Sequence, residues 1–282
     1  MAQHGAVNLT GYDYWNTEAG NRWAAEQELI DALFASVTQT SLAAAAPAPA
    51  EHVIDVGCGT GTTTLELARR VGPAGHVTGI DISQPMLGLA RRRADAARAS
   101  NLSLVEADAT DHAFEPGRTD LIYSRFGVMF FDDPVKAFAN LRGATRPGGR
   151  LCFVCFRPMV ESSWYRVPIE AARSHLPPQP ALPPDAPGMF TFARRERQQS
   201  VLAAAGWREI SADAADVAVQ AGTLERTLAF MTQIGPVTRM LEAGSPEQRR
   251  QAEAAMRDAL AAAIGPDGNS LSLGLWLVSA RA

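Results

Sequence analysis

Asp55-Val56-Gly57-Cys58-Gly59-Thr60-Gly61 places glycines at alternate positions behind an acidic residue. Between a strand and a helix, such a loop lets a ligand approach the backbone, and the amides at the helix start favour negative charge. The chemistry on offer is cofactor binding. The dinucleotide fingerprint G-x-G-x-x-G would need a glycine at position 62, where this chain has Thr62. Asp81 could accept hydrogen bonds from both hydroxyls of a ribose, because a carboxylate presents two oxygens. NAD enzymes use the same device, so Asp81 does not choose between cofactors. Asp108, in Glu106-Ala107-Asp108-Ala109, and the run Ser124-Arg125-Phe126 also follow strand-like segments. Any one of the acids Asp55, Asp81 and Asp108 could equally cap a helix or be solvated in a loop. Together, the strand ends offer groups to one ligand in chain order, at the carboxyl edge where open α/β sheets bind ligands.

The G-x-G-x-G spacing, with Asp55 two residues ahead of it, resembles the first motif of the Rossmann-like (class I) methyltransferases that use S-adenosylmethionine (SAM). The resemblance covers 53–156 and extends more weakly to Tyr14-Trp15-Asn16. It is similar to the small-molecule enzymes related to ubiquinone and menaquinone biosynthesis. It implies SAM as cofactor and S-adenosylhomocysteine as product. Asp55, Gly57, Cys58, Gly59, Thr60, Gly61 and Thr62 would form the cofactor loop, and Asp81, Ile82 and Met86 would follow at the second strand end. Asp108 would accept from the adenine amino group, with Ala109 beside it. Ser124, Arg125 and Phe126 would face the methionine portion. In such relatives an aromatic N-terminal helix folds over the cofactor, which makes Tyr14, Trp15 and Trp23 candidates for covering it. Aromatic faces suit a sulfonium cation; core packing is the competing role for Trp23.

SAM carries its own electrophile, so the protein's task would be to align a nucleophile, and a general base is optional. No catalytic residue is assigned. His112 and His175 stand near plausible site loops, with His175 the one candidate base, whereas His4, His52 and His76 lie away from the carboxyl edge. Arg125, Phe126, Phe130 and Phe131 follow the fourth strand, and Trp164, Tyr165, Met189 and Phe190 follow the fifth. They suggest a small, partly hydrophobic acceptor under a lid, with Arg125 pairing a substrate carboxylate or staying at the rim. The resemblance implies methyl transfer to an O, N or C atom of such a metabolite. The alternatives are non-methylating SAM chemistry, such as intramolecular cyclisation, and a non-catalytic SAM-binding module. The segment after the fourth strand, Ser124 to Pro134, has no Asn/Asp-Pro-Pro-Tyr motif of a nucleic-acid amino-methyltransferase. The cysteine set of arsenite methyltransferases is also missing.

Elements must position these residues. Strands alternating with helices over 52–156 mean a parallel sheet covered on both faces. The fold expected is α/β, a Rossmann-like three-layer sandwich with a mostly parallel seven-stranded sheet, an antiparallel last strand and a helical cap. The chain divides into an N-terminal helical segment (1–42), the SAM-binding core (51–156), cap or lid insertions with a sixth strand (157–270) and a closing strand (271–282). The apolar spacing from Trp23 to Val37 predicts one helix, and 43–50 a connector. Ser83 should cap a helix, Arg91 to Arg93 should form a solvated face, and Arg146-Pro147-Gly148-Gly149 should turn into a strand over 151–156. The proline-rich 177–187 reads as a long loop, and 224–264 as two or three helices.

Composition sets outer limits. The 282 residues can bury a full core, and a formal net charge of −4 argues against a polyanionic partner such as nucleic acid. No run reaches the length of a membrane span, and the first residues lack signal-peptide character, so a cytoplasmic location is expected. Cys152 and Cys155 lie three apart on a strand, facing opposite sides, so they should be packed thiols and not a metal pair; no metal site is expected. Monomer and homodimer both stay open.

Overall fold

The computed structural model describes residues 11–178, 188–219, 222–264 and 271–282. Four short helices open it: α1 (Tyr12–Asn16), α2 (Glu18–Ala25), α3 (Gln27–Leu33) and α4 (Ala35–Ala45). The single helix expected over 23–37 is thus broken. Glu26 and Phe34, at ψ 17° and 12°, leave helical geometry. Leu29, Ile30 and Leu33 of α3 and Val37 of α4 pack into one core, while Leu42, at the end of α4, packs into a second. The alanines placed in the connector extend α4 to Ala45, in keeping with their high helix propensity, and Ala46 ends it at φ 44°.

The core then alternates: β1 (His52–Val56), α5 (Thr62–Val71), β2 (His76–Asp81), α6 (Gln84–Ala96), β3 (Leu102–Glu106), β4 (Thr119–Arg125), α7 (Pro134–Ala144) and β5 (Thr145–Phe156). Asp133 caps α7 by accepting from the Lys136 amide, next to Pro134 in the first turn. β5 begins earlier than the sequence suggested. Thr145 pairs with Thr119 and the ladder resumes at Leu121 opposite Arg150, so the Pro-Gly-Gly run makes an irregularity inside the strand.

Beyond the core come α8 (Ser163–Arg173), α9 (Arg195–Ala204), β6 (Arg208–Val219), α10 (Leu224–Gln233), α11 (Pro236–Glu242), α12 (Pro246–Ile264) and β7 (Leu271–Arg281). The seven strands form one sheet in the order β3-β2-β1-β4-β5-β7-β6. β1 to β5 pair in parallel, and β7 runs antiparallel between β5 and β6. β6, the sixth strand expected within 157–270, forms one edge of the sheet and β3 the other. From residue 179 to 187 the proline-rich stretch lies outside the described residues.

Two cores result, one on each face. Cys152 packs with Val53, Leu67 and Tyr123, and Cys155 with Phe153, Phe192 and the cap, so the two thiols are on opposite sides of the sheet. Burial pushes both thiols well above their usual range. No helix among the described residues is long and apolar enough to cross a membrane.

Candidate functional site

β1 and β4 are central strands, so the loops leaving them meet at the carboxyl edge. Gly57, Gly59 and Gly61 have φ of 68°, 54° and 83°, the left-handed region where glycine carries no steric cost. Gly57 also needs its bareness for contact: a Cβ there would lie 2.6 Å from Cα of Gly127, the residue that opens the turn after β4. Ser124 fastens the same junction. Its buried hydroxyl donates to the Val56 carbonyl at 2.7 Å and accepts from the Gly127 and Val128 amides at 3.1 and 3.3 Å. At Gly59 a Cβ would find only the Met86 sulfur, 3.7 Å away, so Met86 of α6 roofs the bare backbone.

Asp55 lies beneath this loop and is fully buried. Its Oδ2 accepts from the hydroxyls of Thr63 and Thr64, both at 2.7 Å, which ties the start of α5 to β1. Its Oδ1 is buried with no hydrogen-bond partner among the described residues. Burial raises the Asp55 carboxyl to about 6, against the opposing effects of the two threonines and of the Arg125 charge. Asp81, at the end of β2, accepts from the Gly59 amide at 2.7 Å and from the Ser83 amide at 2.9 Å. Those bonds take two of about four acceptor sites on a carboxylate, leaving room for a hydroxyl donor. Burial raises its pKa, opposed by the amides of Ser83, Gly59 and Ile82.

The N-terminal helices cover this edge. Trp15 accepts through its carbonyl from the Ser83 hydroxyl at 2.7 Å, so Ser83 occupies the N-cap position of α6 without capping it. Asn16 donates to the Ile82 carbonyl at 2.9 Å and accepts from the Gln84 amide at 2.8 Å. Gly20 permits the approach, since a Cβ there would fall 2.6 Å from the Ser83 hydroxyl. Trp15 meets Tyr14, Trp23 and Phe130 edge-on, with centroids 5.3, 6.2 and 5.2 Å away. Tyr14, Trp15, Trp23, Phe130, the glycines, Asp81, Ile82 and Met86 are therefore brought together.

A second row of rings runs from β4 to the cap. Phe126, held at φ 70°, stacks on Phe156 at 4.3 Å and meets Phe34 at 5.3 Å. Tyr165 and Phe190 close on Phe156 at 5.5 and 6.0 Å. Tyr165 is buried, and burial pushes its phenol far up. Of the expected acceptor contacts, Phe130, Tyr165 and Phe190 border these rows.

Other expected contacts fall elsewhere. Trp164 faces Phe230 inside the cap, since successive helical residues point in different directions, and Phe131 packs on Phe138. Arg125 donates to Thr38 at 2.6 Å and lies over the Phe34 ring, so its guanidinium is engaged with the N-terminal helices, one ring away from Phe126. His175 lies two residues beyond the end of α8, where its amide donates to the Ala172 carbonyl at 3.0 Å. Asp108 is exposed and accepts from the Thr110 amide at 2.7 Å, a local turn contact. Ala109 is buried and accepts through its carbonyl from Asn140 at 2.9 Å. Cys58 contributes backbone only, its thiol packed inward against Gly79 and raised by burial.

Sequence reasoning missed several participants. Arg93, expected in a solvated face, reaches back to the Thr60 carbonyl at 2.8 Å and the Thr62 hydroxyl at 2.9 Å. Its partner Asp31 lies on α3 off the buried face of Leu29, Ile30 and Leu33, and an ion pair between two helices leaves no local signal in the sequence. Glu106, two residues ahead of Asp108, receives the Tyr12 hydroxyl at 3.0 Å and the Gln84 side-chain amide at 2.8 Å. The residues fit an adenosyl cofactor: bare Gly59 backbone under Met86, the Asp81 carboxylate beside it, aromatic faces above and an orphaned carboxylate oxygen below.

Comparisons with known proteins agree. Residues 53–149 match the methyltransferase domain family. The demethylmenaquinone methyltransferase of Thermus thermophilus is 38% identical over 98 residues, 34% of this chain and 44% of that protein. That of Listeria welshimeri is 31% identical over 91 residues, 32% of this chain and 39% of the other. The matched part thus spans less than half the length of these curated relatives. A SAM-dependent methyltransferase from Aquifex aeolicus shares the fold with a TM-score of 0.53 at 14% identity, over 92% of this chain and 97% of the other. A phosphoethanolamine N-methyltransferase from Haemonchus contortus gives 0.57 at 17%, over 100% of this chain and 61% of the other. The segment 53–149 thus matches the methyltransferase domain family and is similar to part of the curated demethylmenaquinone methyltransferases, and the sheet that carries it has the fold of SAM-dependent methyltransferases.

Proposed function

We propose that the protein transfers the methyl group of SAM to a nucleophilic O, N or C atom of a small, partly hydrophobic metabolite. The observation that carries this reading is the junction of Gly59 and Asp81, which joins the bare loop to a buried carboxylate and lies under Trp15 and Asn16. Gly57, Gly59 and Gly61 offer backbone to the cofactor and Asp81 holds ribose hydroxyls, while the exposed Asp108, whose Oδ1 is taken by the Thr110 amide, would turn its other oxygen to the adenine amino group beside Ala109. Tyr14, Trp15 and Trp23 cover it. Residues 11–45 act as this cover and α8 with α10 to α12 as the cap over the acceptor.

SAM supplies an activated methyl on a sulfonium sulfur, so the chain's own residues have to orient the acceptor and exclude water. Phe126, Phe156, Tyr165 and Phe190 form the apolar wall suited to that task, and the electron-rich ring faces favour a nearby positive sulfur. With the methyl already activated, no general base is required, and deprotonation is left to the acceptor itself or to solvent.

The test is incubation with methyl-labelled SAM and a panel of small aromatic and aliphatic acceptors. Label moving to an acceptor with release of S-adenosylhomocysteine supports the reading. Methylthioadenosine, or tight binding without turnover across the panel, overturns methyl transfer.

A further inference from the structure

We infer that Arg93, paired with Asp31, is a positioning residue that couples closure of the N-terminal cover to the shape of the glycine loop. This rests on the reading that the loop holds SAM.

The geometry is a bridge between three elements. Arg93 of α6 donates through Nη1 to the Thr60 carbonyl at 2.8 Å and to the Thr62 hydroxyl at 2.9 Å, and through Nη2 to Oδ2 of Asp31 at 2.8 Å. The Thr62 hydroxyl donates to Oδ1 of Asp31 at 2.5 Å, and Gln27 of α3 donates to Oδ2. Both charged side chains are mostly shielded, at 24% and 18% exposure, so the pair escapes much of the screening that makes surface ion pairs weak. The planar guanidinium reaches the loop through Nη1 and Asp31 through Nη2, whereas an ammonium would have to gather all its acceptors around one nitrogen.

Thr60 lies between Gly59 and Gly61, both in left-handed conformations that an unconstrained glycine chain would share with many others. Fixing that carbonyl restricts the loop before the ligand arrives, which improves affinity by lowering the ordering cost of binding. Asp31 belongs to the same N-terminal run as Trp15 and Asn16, which hold the end of β2. The cover is thus attached at two places, and Arg93 is the attachment that touches the loop. The Arg93–Asp31 pair also forms part of the wall of an open cavity of about 650 Å³, so removing it leaves a solvated gap and no buried void.

The test is calorimetric titration of the full chain with S-adenosylhomocysteine, comparing wild type with Arg93→Met, Arg93→Lys, Asp31→Asn and the double variant Arg93→Met/Asp31→Asn. The expected result is an affinity loss of about tenfold or more for Arg93→Met, an intermediate loss for Arg93→Lys, and a double variant no weaker than the weaker single. Ligand protection of the N-terminal helices against trypsin should be present in wild type and lost in Arg93→Met. Wild type that fails to bind overturns the SAM reading itself. Wild type that binds while Arg93→Met binds equally, or strictly additive losses in the double variant, overturns the coupling alone.

Discussion

The backbone amide of Gly59 donates to Oδ2 of Asp81 across 2.7 Å, making the tip of the glycine loop and the end of β2 one unit. Two strands that are neighbours in the sheet thereby share a binding surface, and the carboxylate that would receive a ribose is already oriented by backbone. Burial raises the cost of this charge, and the amides of Ser83, Gly59 and Ile82 offset it. The groups that meet here are the ones the sequence spacing singled out.

Gly57→Ala should destabilise the fold by about 2 kcal/mol or more, because it adds a left-handed non-glycine to a contact already closed by Gly127. Gly117 has nearly the same φ, 65°, but open space around it, so Gly117→Ala should lose only about 1 kcal/mol. Urea unfolding midpoints check the pair. Equal losses at the two sites would contradict the close approach of the loop to the exit of β4.

Asp55→Asn should change the pH dependence of stability. The Asp55 carboxyl stands at about 6 in the folded chain, above its ordinary value near 4, so between those values the folded state holds more protons than the unfolded. The contribution of the protonated group is complete below about pH 4 and is lost as pH rises through 6. Asparagine keeps an acceptor for Thr63 and Thr64 without the charge. Relative to wild type, the variant should gain up to about 3 kcal/mol between pH 4 and pH 7.5. A difference that does not move with pH would show that Asp55 titrates normally.

Trp15→Ala should weaken S-adenosylhomocysteine binding by roughly 1 to 2 kcal/mol, since its ring spans Tyr14, Trp23 and Phe130 over the β2 end. The backbone carbonyl that accepts from Ser83 survives the substitution. Calorimetry gives the affinity, and an unchanged value would remove Trp15 from the cover.

Much of the core was legible because its signals are local. The alternation of strand and helix, the glycine spacing and Asp81 follow from periodicity and from the backbone freedom glycine alone provides. The break of the N-terminal stripe at Glu26 and Phe34 was not legible, because both residues are compatible with a helix and only the shape they wrap requires the bends. Arg93 looked solvated because its partners Thr60 and Asp31 are far away in sequence, and an ion pair across elements leaves no periodic trace. Trp164 and Tyr165 were indistinguishable as neighbours in sequence, yet the helix sends one into the cap and the other to Phe156.

The most direct measurement is a calorimetric titration of wild type and Asp81→Ala with S-adenosylhomocysteine at matched pH and salt. The account predicts saturable binding at one site in the wild type and a loss of roughly 1 to 3 kcal/mol in the variant, whose missing carboxylate served both Gly59 and the ligand. No binding to the wild type, or equal affinity in the two proteins, would contradict it.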